Sequence, residues 1–311
     1  MNESAPNPGF KVYDRQATRN LLKMPALISA IKQAATEYSE GGIVSPERMV
    51  VPRPNAGVML SMPATAQDIS VHKLVNVEPS NGKRGLPTIY GLVTIFDTPT
   101  GQPLCLLDGP EVTGCRTAAV SMIGIETFMS QAPQRVLIIG SGTQAIYHVR
   151  ALHEIYPKAE VFVRGLSHDS ANRFCKEHAG ENPNLYPCNP SEIPEGTDVV
   201  IMLTTSTSPI YNEDALKGRL IIGVGAFKPE MAEIGEHTLA GSDIYVDDPL
   251  GAREEAGDLI QAGIDWGRVR NLADALKHKP SLDRPIVFKT VGTGAWDLAA
   301  GRVATLNLAG K

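Results

Sequence analysis

Hydrophobic positions in the first third of the chain change their spacing from helical to strand-like. Residues 24–38 repeat apolar side chains at helical spacing, and Gly41-Gly42 ends this pattern. From residue 48 to residue 108, short β-type runs alternate with turn residues. The expected strands are Met49–Pro52, Val58–Met62, Ile69–Val77, Thr88–Phe96 and Leu104–Leu107, and the expected breaks are 55–57, 79–82 and 98–101. This succession predicts a helix followed by an antiparallel sheet or partial barrel.

The rest of the chain alternates helical and strand-like segments. A long helical pattern covers Pro110–Met129. Strands are expected at 135–139, 160–164, 198–203, 219–224 and 243–247, with helices at 145–155 and 169–179. Such alternation predicts a doubly wound parallel sheet. Residues 292–308 form a last helical stretch that has no place in the order of this sheet, so we expect it to return to the N-terminal domain.

One loop of this alternation carries a cofactor motif, which reads Gly140-Ser141-Gly142-Thr143-Gln144-Ala145. It follows an apolar run that fits a strand buried on both faces, and a helical pattern follows it. Gly140 allows a tight turn, Gly142 allows the backbone to approach a pyrophosphate, and Ala145 allows close helix–strand packing. The helix N-terminus would bind the phosphates. The sequence therefore predicts a dinucleotide site, with an ordinary glycine turn as the alternative.

The strand after this helix bears on which dinucleotide is used. It ends in Arg164 without the Asp or Glu that usually binds the ribose of NAD. Arg164 is expected to pair with a 2′-phosphate and Ser167 to donate to it, which favours NADPH while allowing NADH. The alternative is that Arg164 is a surface arginine. Further along, Thr204, Val224 and Gly225 follow apolar strands and are expected to line the cofactor at the carboxyl ends of the sheet.

Composition excludes several other classes of protein. With 311 residues, 42% of them hydrophobic and 20% charged, the chain fits a globular protein of one large or two ordinary domains. A net charge of −5 without a Lys/Arg block indicates neither nucleic acid nor an anionic membrane as a partner. The polar residues 1–8 lack the apolar core of a signal peptide and are expected to be a frayed tail. Four scattered cysteines without metal-ligand spacing indicate reduced thiols in a cytoplasmic protein and no metal site.

Several phrases together resemble the ornithine cyclodeaminase/μ-crystallin family, in the order and at the spacing of that family. They are Leu60-Ser61-Met62-Pro63-Ala64, Val71-His72-Lys73-Leu74-Val75, Gly85-Leu86-Pro87-Thr88, Leu107-Asp108-Gly109, Arg116-Thr117-Ala118-Ala119 and the glycine loop. The family contains ornithine cyclodeaminases, archaeal alanine dehydrogenases and ketimine reductases that act on cyclic imino acids. The resemblance implies an α+β substrate-binding and dimerisation domain (1–116), a Rossmann domain (117–293), and a C-terminal helix (294–311) that rejoins the first domain.

The resemblance also assigns three cations to the substrate site. Arg48 and Arg116 match the carboxylate-binding arginines of the family, and Lys73 matches its active-site lysine. A guanidinium suits the carboxylate of an α-imino acid because it binds in a bidentate manner. For each cation the alternative is a solvated surface cation or a structural ion pair, and Arg53 lies close enough to Arg48 to leave that assignment open. Arg116, together with Thr88, Thr117 and Thr290, is also expected to contact the cofactor.

A departure from the cyclodeaminase pattern occurs at Phe227. Cyclodeaminases have an Asp at this position, after the segment that matches Gly223-Val224-Gly225. Phenylalanine accepts no proton and would instead close the pocket with an apolar wall that suits a ring. Glu230 or Glu233 could substitute for the missing carboxylate, although Glu233 matches a structural acid of the motif. The departure favours the reductase branch.

These features predict a cytoplasmic, homodimeric α/β oxidoreductase that uses NAD(P)H. Its expected reaction is the reduction of a small cyclic imino acid, Δ1-pyrroline-2-carboxylate or Δ1-piperideine-2-carboxylate, to L-proline or L-pipecolate. Lys73 would donate a proton or a hydrogen bond to the substrate. His72 points to the opposite face of its strand and is expected to be packed or exposed. The alternatives are an ornithine cyclodeaminase, an alanine dehydrogenase, and a crystallin-like protein that binds without turnover.

Overall fold

A computed structural model of the protein describes residues 10–54 and 57–309. The expected frayed tail, residues 1–8, and Asn55 and Ala56 of one expected break lie outside these residues. The chain divides into two compact units. Unit 1 contains the described residues up to Lys23, Glu37–Thr113, and the described residues from Thr293 onwards. Unit 2 contains Met24–Thr36 and Gly114–Gly292.

The described residues form both helices and strands. The helices are α1 (Arg15–Leu21), α2 (Met24–Ser39), α3 (Gly109–Phe128), α4 (Thr143–Ile155), α5 (His168–His178), α6 (Glu236–Ala240), α7 (Pro249–Glu255), α8 (Gly257–Gln261), α9 (Leu272–Lys277) and α10 (Gly294–Ala309), with 3-10 helices at Pro79–Arg84 and Trp266–Arg268. The strands are β1 (Lys11–Val12), β2 (Met49–Pro52), β3 (Val58–Thr65), β4 (Ile69–Val77), β5 (Ile89–Asp97), β6 (Pro103–Asp108), β7 (Arg135–Ile139), β8 (Glu160–Arg164), β9 (Leu185–Cys188), β10 (Val199–Met202), β11 (Thr207–Tyr211), β12 (Leu220–Gly223), β13 (Ala232–Ile234), β14 (Asp243–Val246), β15 (Arg270–Asn271) and β16 (Ile286–Lys289).

The sheet of unit 1 has the strand order β1-β6-β5-β4-β3-β2 among the described residues. Its strands from β2 to β6 pair antiparallel, as the sequence predicts, whereas the unpredicted β1 pairs parallel with β6. Helix α10 packs on β3 and β4. Gly301 allows this close approach, since a β-carbon there would lie 3.1 Å from Val71 and 3.2 Å from Ile69. The last helix therefore returns to the N-terminal sheet, as expected.

The main sheet of unit 2 is parallel, with the order β15-β14-β16-β12-β10-β7-β8-β9 over the residues described. Strands β10, β12 and β16 are buried along their whole length, as is usual in a parallel sheet covered on both faces. The chain proceeds from β7 to β8 and β9 on one side, and then returns to β10 on the other. The glycine loop follows β7, so it lies at the switch point where such sheets bind ligands. The predicted doubly wound sheet is confirmed.

The structure differs from the sequence pattern in two places near the N-terminus. Strand β3 continues past Met62 to Thr65, through Pro63. Its partner β2 reaches only to Ser61, so the missing N–H of Pro63 costs no ladder bond on that side. Residues 24–36 group with unit 2, where Lys32 Nζ lies 2.5 Å from Glu126 Oε1 on α3.

Two further findings apply to the described residues only. None of their helices is both long and apolar enough to cross a membrane. Nor do these residues contain a group of three or more His, Cys, Asp and Glu side chains that could hold a metal ion.

Candidate active site

Lys73 lies on the buried face of β4 in unit 1. Burial alternates along this strand, which places Lys73 inside, where 2% of the residue is exposed. Its Nζ lies 2.7 Å from Oδ2 of Asp297 on α10, and the Asp297 side chain is fully buried. Removing two charges from water is costly, and a close ion pair offsets part of that cost. The pair therefore keeps an ammonium group inside the unit.

Asp297 is a residue that the sequence reasoning missed. Helix α10 is buried on nearly all sides in its first two turns, with Trp296, Ala299 and Ala300 fully buried. A carboxylate in such a helix requires a cation or several donors. That requirement was the available signal, but it does not identify Lys73 as the partner.

His72 occupies the other face of β4, as the alternation predicts. It is half-buried, and its Nε2 lies 2.8 Å from Oγ of Ser61 on the neighbouring strand β3. Arg48 is also half-buried and lies just before β2, and the nearby Arg53 donates to Oδ1 of Asn76 over 3.1 Å. Thr88 is exposed immediately before β5. Within unit 1, Lys73 is thus the fully buried member of the predicted site residues.

Arg116 lies on α3 in unit 2 and is 7% exposed. Its guanidinium rests against Gly292, where a β-carbon would lie 2.4 Å from Nη1. Gly292 has φ +77, a conformation that favours glycine. The carboxylate of Asp247 fixes this loop, because it accepts hydrogen bonds from the backbone N–H of Val291 (2.9 Å) and of Gly292 (3.0 Å). The structure thus places Arg116 over a backbone surface that has no side chain.

The glycine loop has the geometry that a phosphate requires. Gly140 has φ +115, and a β-carbon there would lie 2.8 Å from the carbonyl oxygen of Leu203. Gly142 is the N-cap of α4, has no atom within 4 Å of an added β-carbon, and provides no side-chain cap. The N-terminus of this 13-residue helix therefore has no side-chain cap, and no side chain on Gly142 obstructs the approach to it. Ala145 is fully buried. The residues fit a dinucleotide pyrophosphate.

The tip of β8 differs from the arrangement that a 2′-phosphate would require. Arg164 is 7% exposed, and its Nη2 donates to the carbonyl of Ile210 over 2.8 Å. Burial lowers the pKa of this guanidinium. Ser167 caps α5, its Oγ accepting from the N–H of Ser170, and Leu166 is fully exposed between them. Pairing of Arg164 with a 2′-phosphate stays a prediction, and the observed bond gives its guanidinium a partner within the protein.

The loops that follow β10 and β12 are joined by Glu233. Its fully buried carboxylate accepts hydrogen bonds from Thr204 and from the N–H groups of Gly225 and Ala226. Burial raises the pKa of Glu233, and these donors and the charge of Lys289 oppose that shift. Phe227 follows Ala226 and is half-buried. Glu233 is therefore fully engaged in structural hydrogen bonds.

Three further predicted cofactor residues, Thr117, Thr290 and Val224, lie in unit 2 and are buried, whereas Ser141 and Gln144 of the glycine loop are half-buried and Thr143 is exposed. Thr117 is 6% exposed on α3. Thr290 directly follows β16, and its N–H donates to the carbonyl of Gly223 at the end of β12. Val224 continues from β12, and its N–H donates to Met202 O at the end of β10. Thr290 and Val224 thus lie at the carboxyl edge of the parallel sheet, where ligands bind in such folds.

Comparison with known families identifies the chain. The family model "Ornithine cyclodeaminase/mu-crystallin family" matches residues 11–305. The chain belongs to this family. The predicted membership is confirmed. Members of the ornithine cyclodeaminase/μ-crystallin family differ in the reaction that they catalyse.

Two bacterial members of the family are similar to the chain over nearly its whole length. A Δ1-pyrroline-2-carboxylate/Δ1-piperideine-2-carboxylate reductase of Azospirillum brasilense is 51% identical over 300 residues, which are 96% of each chain. Δ1-pyrroline-2-carboxylate reductase 2 of Burkholderia ambifaria is 50% identical and covers 94% of each chain. The predicted class of enzyme, an oxidoreductase of this type, is confirmed.

A solved structure of the family is similar to this one over the same extent. It is Δ1-pyrroline-2-carboxylate reductase of Thermococcus litoralis in complex with NADH and L-proline. The TM-score is 0.88 at 25% identity, with 97% of this chain and 98% of the other covered. The fold predicted from the alternation of strands and helices is therefore that of this reductase.

Proposed function

We propose that the protein reduces a cyclic ketimine, Δ1-pyrroline-2-carboxylate or Δ1-piperideine-2-carboxylate, to L-proline or L-pipecolate. The structural observation that carries the proposal is the buried Lys73–Asp297 pair, 2.7 Å apart. Reduction of an imine needs a donor at nitrogen while hydride adds to carbon, and an ammonium group held by a carboxylate is such a donor. The two bacterial relatives, which are 51% and 50% identical to this chain, are both named as reductases of Δ1-pyrroline-2-carboxylate.

Each predicted site residue would have its own role. In unit 1, Lys73 Nζ would donate a proton or a hydrogen bond to the imine nitrogen, and Asp297 would keep Nζ charged and oriented. Arg48 would contribute to binding the substrate carboxylate. In unit 2, Arg116 would bind that carboxylate in a bidentate manner by its planar guanidinium. The absence of a side chain on Gly292 leaves room for this guanidinium.

The cofactor would be NADPH or NADH, held by the glycine loop. Ser141, Gly142, Thr143 and Gln144 would surround the pyrophosphate, and the free N–H groups of α4 would bind it. Thr88, Thr117, Thr204, Gly225 and Thr290 would complete the set of cofactor contacts. When bound, the reduced nicotinamide supplies the hydride that adds to the imine carbon.

The environment of Phe227 favours reduction over deamination of ornithine. The position that would supply a carboxylate in a cyclodeaminase has a phenyl ring in this chain. Glu233 cannot replace that carboxylate, because its two oxygens accept hydrogen bonds from three backbone N–H groups and one hydroxyl. Glu230 is exposed and lies 3.9 Å from Lys228 Nζ. Neither glutamate is placed to accept a proton from a substrate amine.

We also propose that the protein is a homodimer formed through unit 1. The sheet of this unit leaves large apolar side chains exposed: Val12 on β1, Met49 and Val50 on β2, and Tyr90 and Leu92 on β5. Exposed apolar groups of this kind mark association surfaces. A second copy of the chain is the expected occupant, and the molar mass in solution, measured by light scattering, tests it.

A cytoplasmic location is part of the same proposal. Cys105, Cys115, Cys175 and Cys188 are all free and buried. Burial raises the pKa of Cys105 and of Cys175 to about 11, so both stay protonated and unreactive. Reduced thiols of this kind are typical of a reducing compartment. Fractionation of the producing cells tests the location.

One assay tests the reaction itself. Oxidation of NADPH and of NADH is followed with each of the two cyclic imino acids, beside ammonia release from ornithine with NAD. We expect oxidation of reduced cofactor with at least one ring and no ammonia. Ammonia release without imine reduction would assign the protein to the cyclodeaminases instead.

A further inference from the structure

One carboxylate connects two loops at the carboxyl edge of the parallel sheet. Glu233, on β13, accepts from Thr204 through Oε1, over 2.6 Å from the N–H and 2.9 Å from the hydroxyl. Through Oε2 it accepts from the N–H of Gly225 (2.7 Å) and of Ala226 (3.2 Å). Thr204 follows β10, whereas Gly225 and Ala226 follow β12. Each oxygen therefore serves a different loop.

The two loops pack closely against each other and against this carboxylate. A β-carbon on Gly225 would lie 2.0 Å from the carbonyl oxygen of Thr204 and 2.6 Å from Oε1 of Glu233. Thr204 and Gly225 are both assigned to the cofactor in the proposed function. Phe227, the proposed apolar wall of the substrate pocket, lies two residues beyond Gly225. Glu233 thus binds directly to both loops that carry these proposed contacts.

The backbone of Glu233 is itself fixed by Asp258, which belongs to a buried ion pair. Oδ1 of Asp258 accepts hydrogen bonds from the backbone N–H of Glu233 and of Ile234, the latter over 2.8 Å. Oδ2 of Asp258 lies 2.8 Å from Nζ of Lys289, and both side chains are fully buried. Lys289 ends β16, the strand after which Thr290 follows. The backbone of Glu233 is therefore anchored to the sheet, and its carboxylate is anchored to the loops.

We propose that Glu233 is a positioning residue that sets the cofactor loop after β10 and the Phe227 loop after β12 in one fixed arrangement. This inference rests on the proposed function for the roles of Thr204, Gly225 and Phe227. Glu233 would act through these residues without touching cofactor or substrate. Cofactor affinity and the choice between five- and six-membered rings would then depend on the same carboxylate.

Glu233→Gln tests this arrangement without changing the size of the side chain. A glutamine has one acceptor oxygen, so its NH2 group must face either Thr204 N–H or the N–H groups of Gly225 and Ala226. In both orientations one loop loses its acceptor. We expect the dissociation constant for NADPH, measured by fluorescence titration, to rise about tenfold or more. We also expect the ratio of kcat/KM between the two imino acids to change severalfold.

A matched control and a direct structural readout separate positioning from general destabilisation. Glu230→Gln removes an exposed carboxylate three residues earlier and is expected to leave both quantities unchanged. Hydrogen exchange should increase in Glu233→Gln at the peptides containing 203–206 and 224–227, and remain unchanged in β7. If Glu233→Gln does not fold, Thr204→Val, which removes one of the four hydrogen bonds, is expected to raise hydrogen exchange at 224–227 in the protein without cofactor, a change that loss of a direct contact between Thr204 and the cofactor would not cause.

The outcomes distinguish this inference from the proposed function. A folded Glu233→Gln protein, or a folded Thr204→Val protein in its place, with wild-type NADPH affinity, exchange and ring preference would overturn the positioning role. A wild-type protein that reduces neither imino acid would overturn the proposed function. In that case, a rise in the NADPH dissociation constant of the variant, with faster exchange in both loops, would still support the fixed arrangement of the loops.

Discussion

The guanidinium of Arg116 lies against the backbone of Gly292, so closely that a β-carbon on Gly292 would come within 2.4 Å of Nη1. Arg116 therefore occupies space that a side chain on residue 292 would fill. Asp247 makes this possible, because its carboxylate accepts hydrogen bonds from the backbone N–H groups of Val291 and Gly292. The position of Arg116, the proposed substrate-binding arginine, thus depends on this loop as well as on its own helix.

Gly292→Ala should displace Arg116 and weaken substrate binding. A lost bidentate contact to a carboxylate is worth about 1.5–3 kcal/mol, so KM for the imino acid should rise about tenfold or more. The dissociation constant for NADPH should change much less. Gly218→Ala is the matched control, because Gly218 has φ +88 but no atom within 4 Å of an added β-carbon. Equal KM changes in the two variants would show that backbone strain, and not displacement of Arg116, is the cause.

Lys73→Met should abolish most imine reduction. Loss of a positioned donor lowers kcat roughly 10²-fold or more, while NADPH affinity should stay near that of the wild type. The exposed Lys83, changed to Met, is the control within the same unit. A Lys73→Met protein with nearly normal kcat would show that the Lys73–Asp297 pair has a structural role and no catalytic role.

The same ion pair has a separate effect on stability. Removing one member of a buried pair costs about 3–5 kcal/mol, so Lys73→Met should lower Tm markedly. Lys73→Met combined with Asp297→Leu should recover much of that loss without recovering activity. Thermal unfolding of the single and double variants measures this directly, and an additive loss in the double variant would contradict it.

Arg164→Met should separate two roles of this arginine. Because its Nη2 bonds to Ile210 O and the residue is largely buried, we expect lower stability, by about 1–3 kcal/mol for the unsatisfied carbonyl. If Arg164 also pairs with a 2′-phosphate, as the sequence predicts, KM for NADPH should rise more than KM for NADH. Equal changes in the two KM values would leave Arg164 only its structural bond to Ile210.

His148 should make the stability of unit 2 depend on pH. It is fully buried on α4, its Nδ1 donating to Gln144 O and its Nε2 accepting from Ser121 Oγ, and burial lowers its pKa to about 4. The unfolded chain binds a proton at this residue below about pH 6.5. Stability present above pH 6.5 is therefore lost as the pH falls towards 4, by on the order of 3 kcal/mol in total.

The measurement is the free energy of unfolding in denaturant at several pH values. His148→Gln should be less stable at neutral pH and should show a smaller slope between pH 6.5 and pH 4. The exposed His168, changed to Gln, should retain the slope of the wild type. An unchanged slope in His148→Gln would show that another group titrates.

Local pattern determined much of this protein from the sequence alone. The alternation along β4 placed Lys73 and His72 on opposite faces, because side chains of a strand alternate whatever surrounds them. The glycine loop between an apolar strand and a helix was readable for the same reason, since its turn, approach and packing requirements all lie within six residues. The short strands β1, β9, β11, β13, β15 and β16 were missed because a few residues carry too little periodicity.

Only the tertiary structure decided which side chains contact one another. A lysine on a buried strand face requires a counter-charge, but only the packing of α10 on β4 brought Asp297 to Lys73. Likewise Glu233 joined the loops after β10 and β12, and Gly292 made room for Arg116. Periodicity fixes which face of an element a residue occupies. Which residue it meets depends on how elements distant in the chain pack, and that is set by the burial of the whole core.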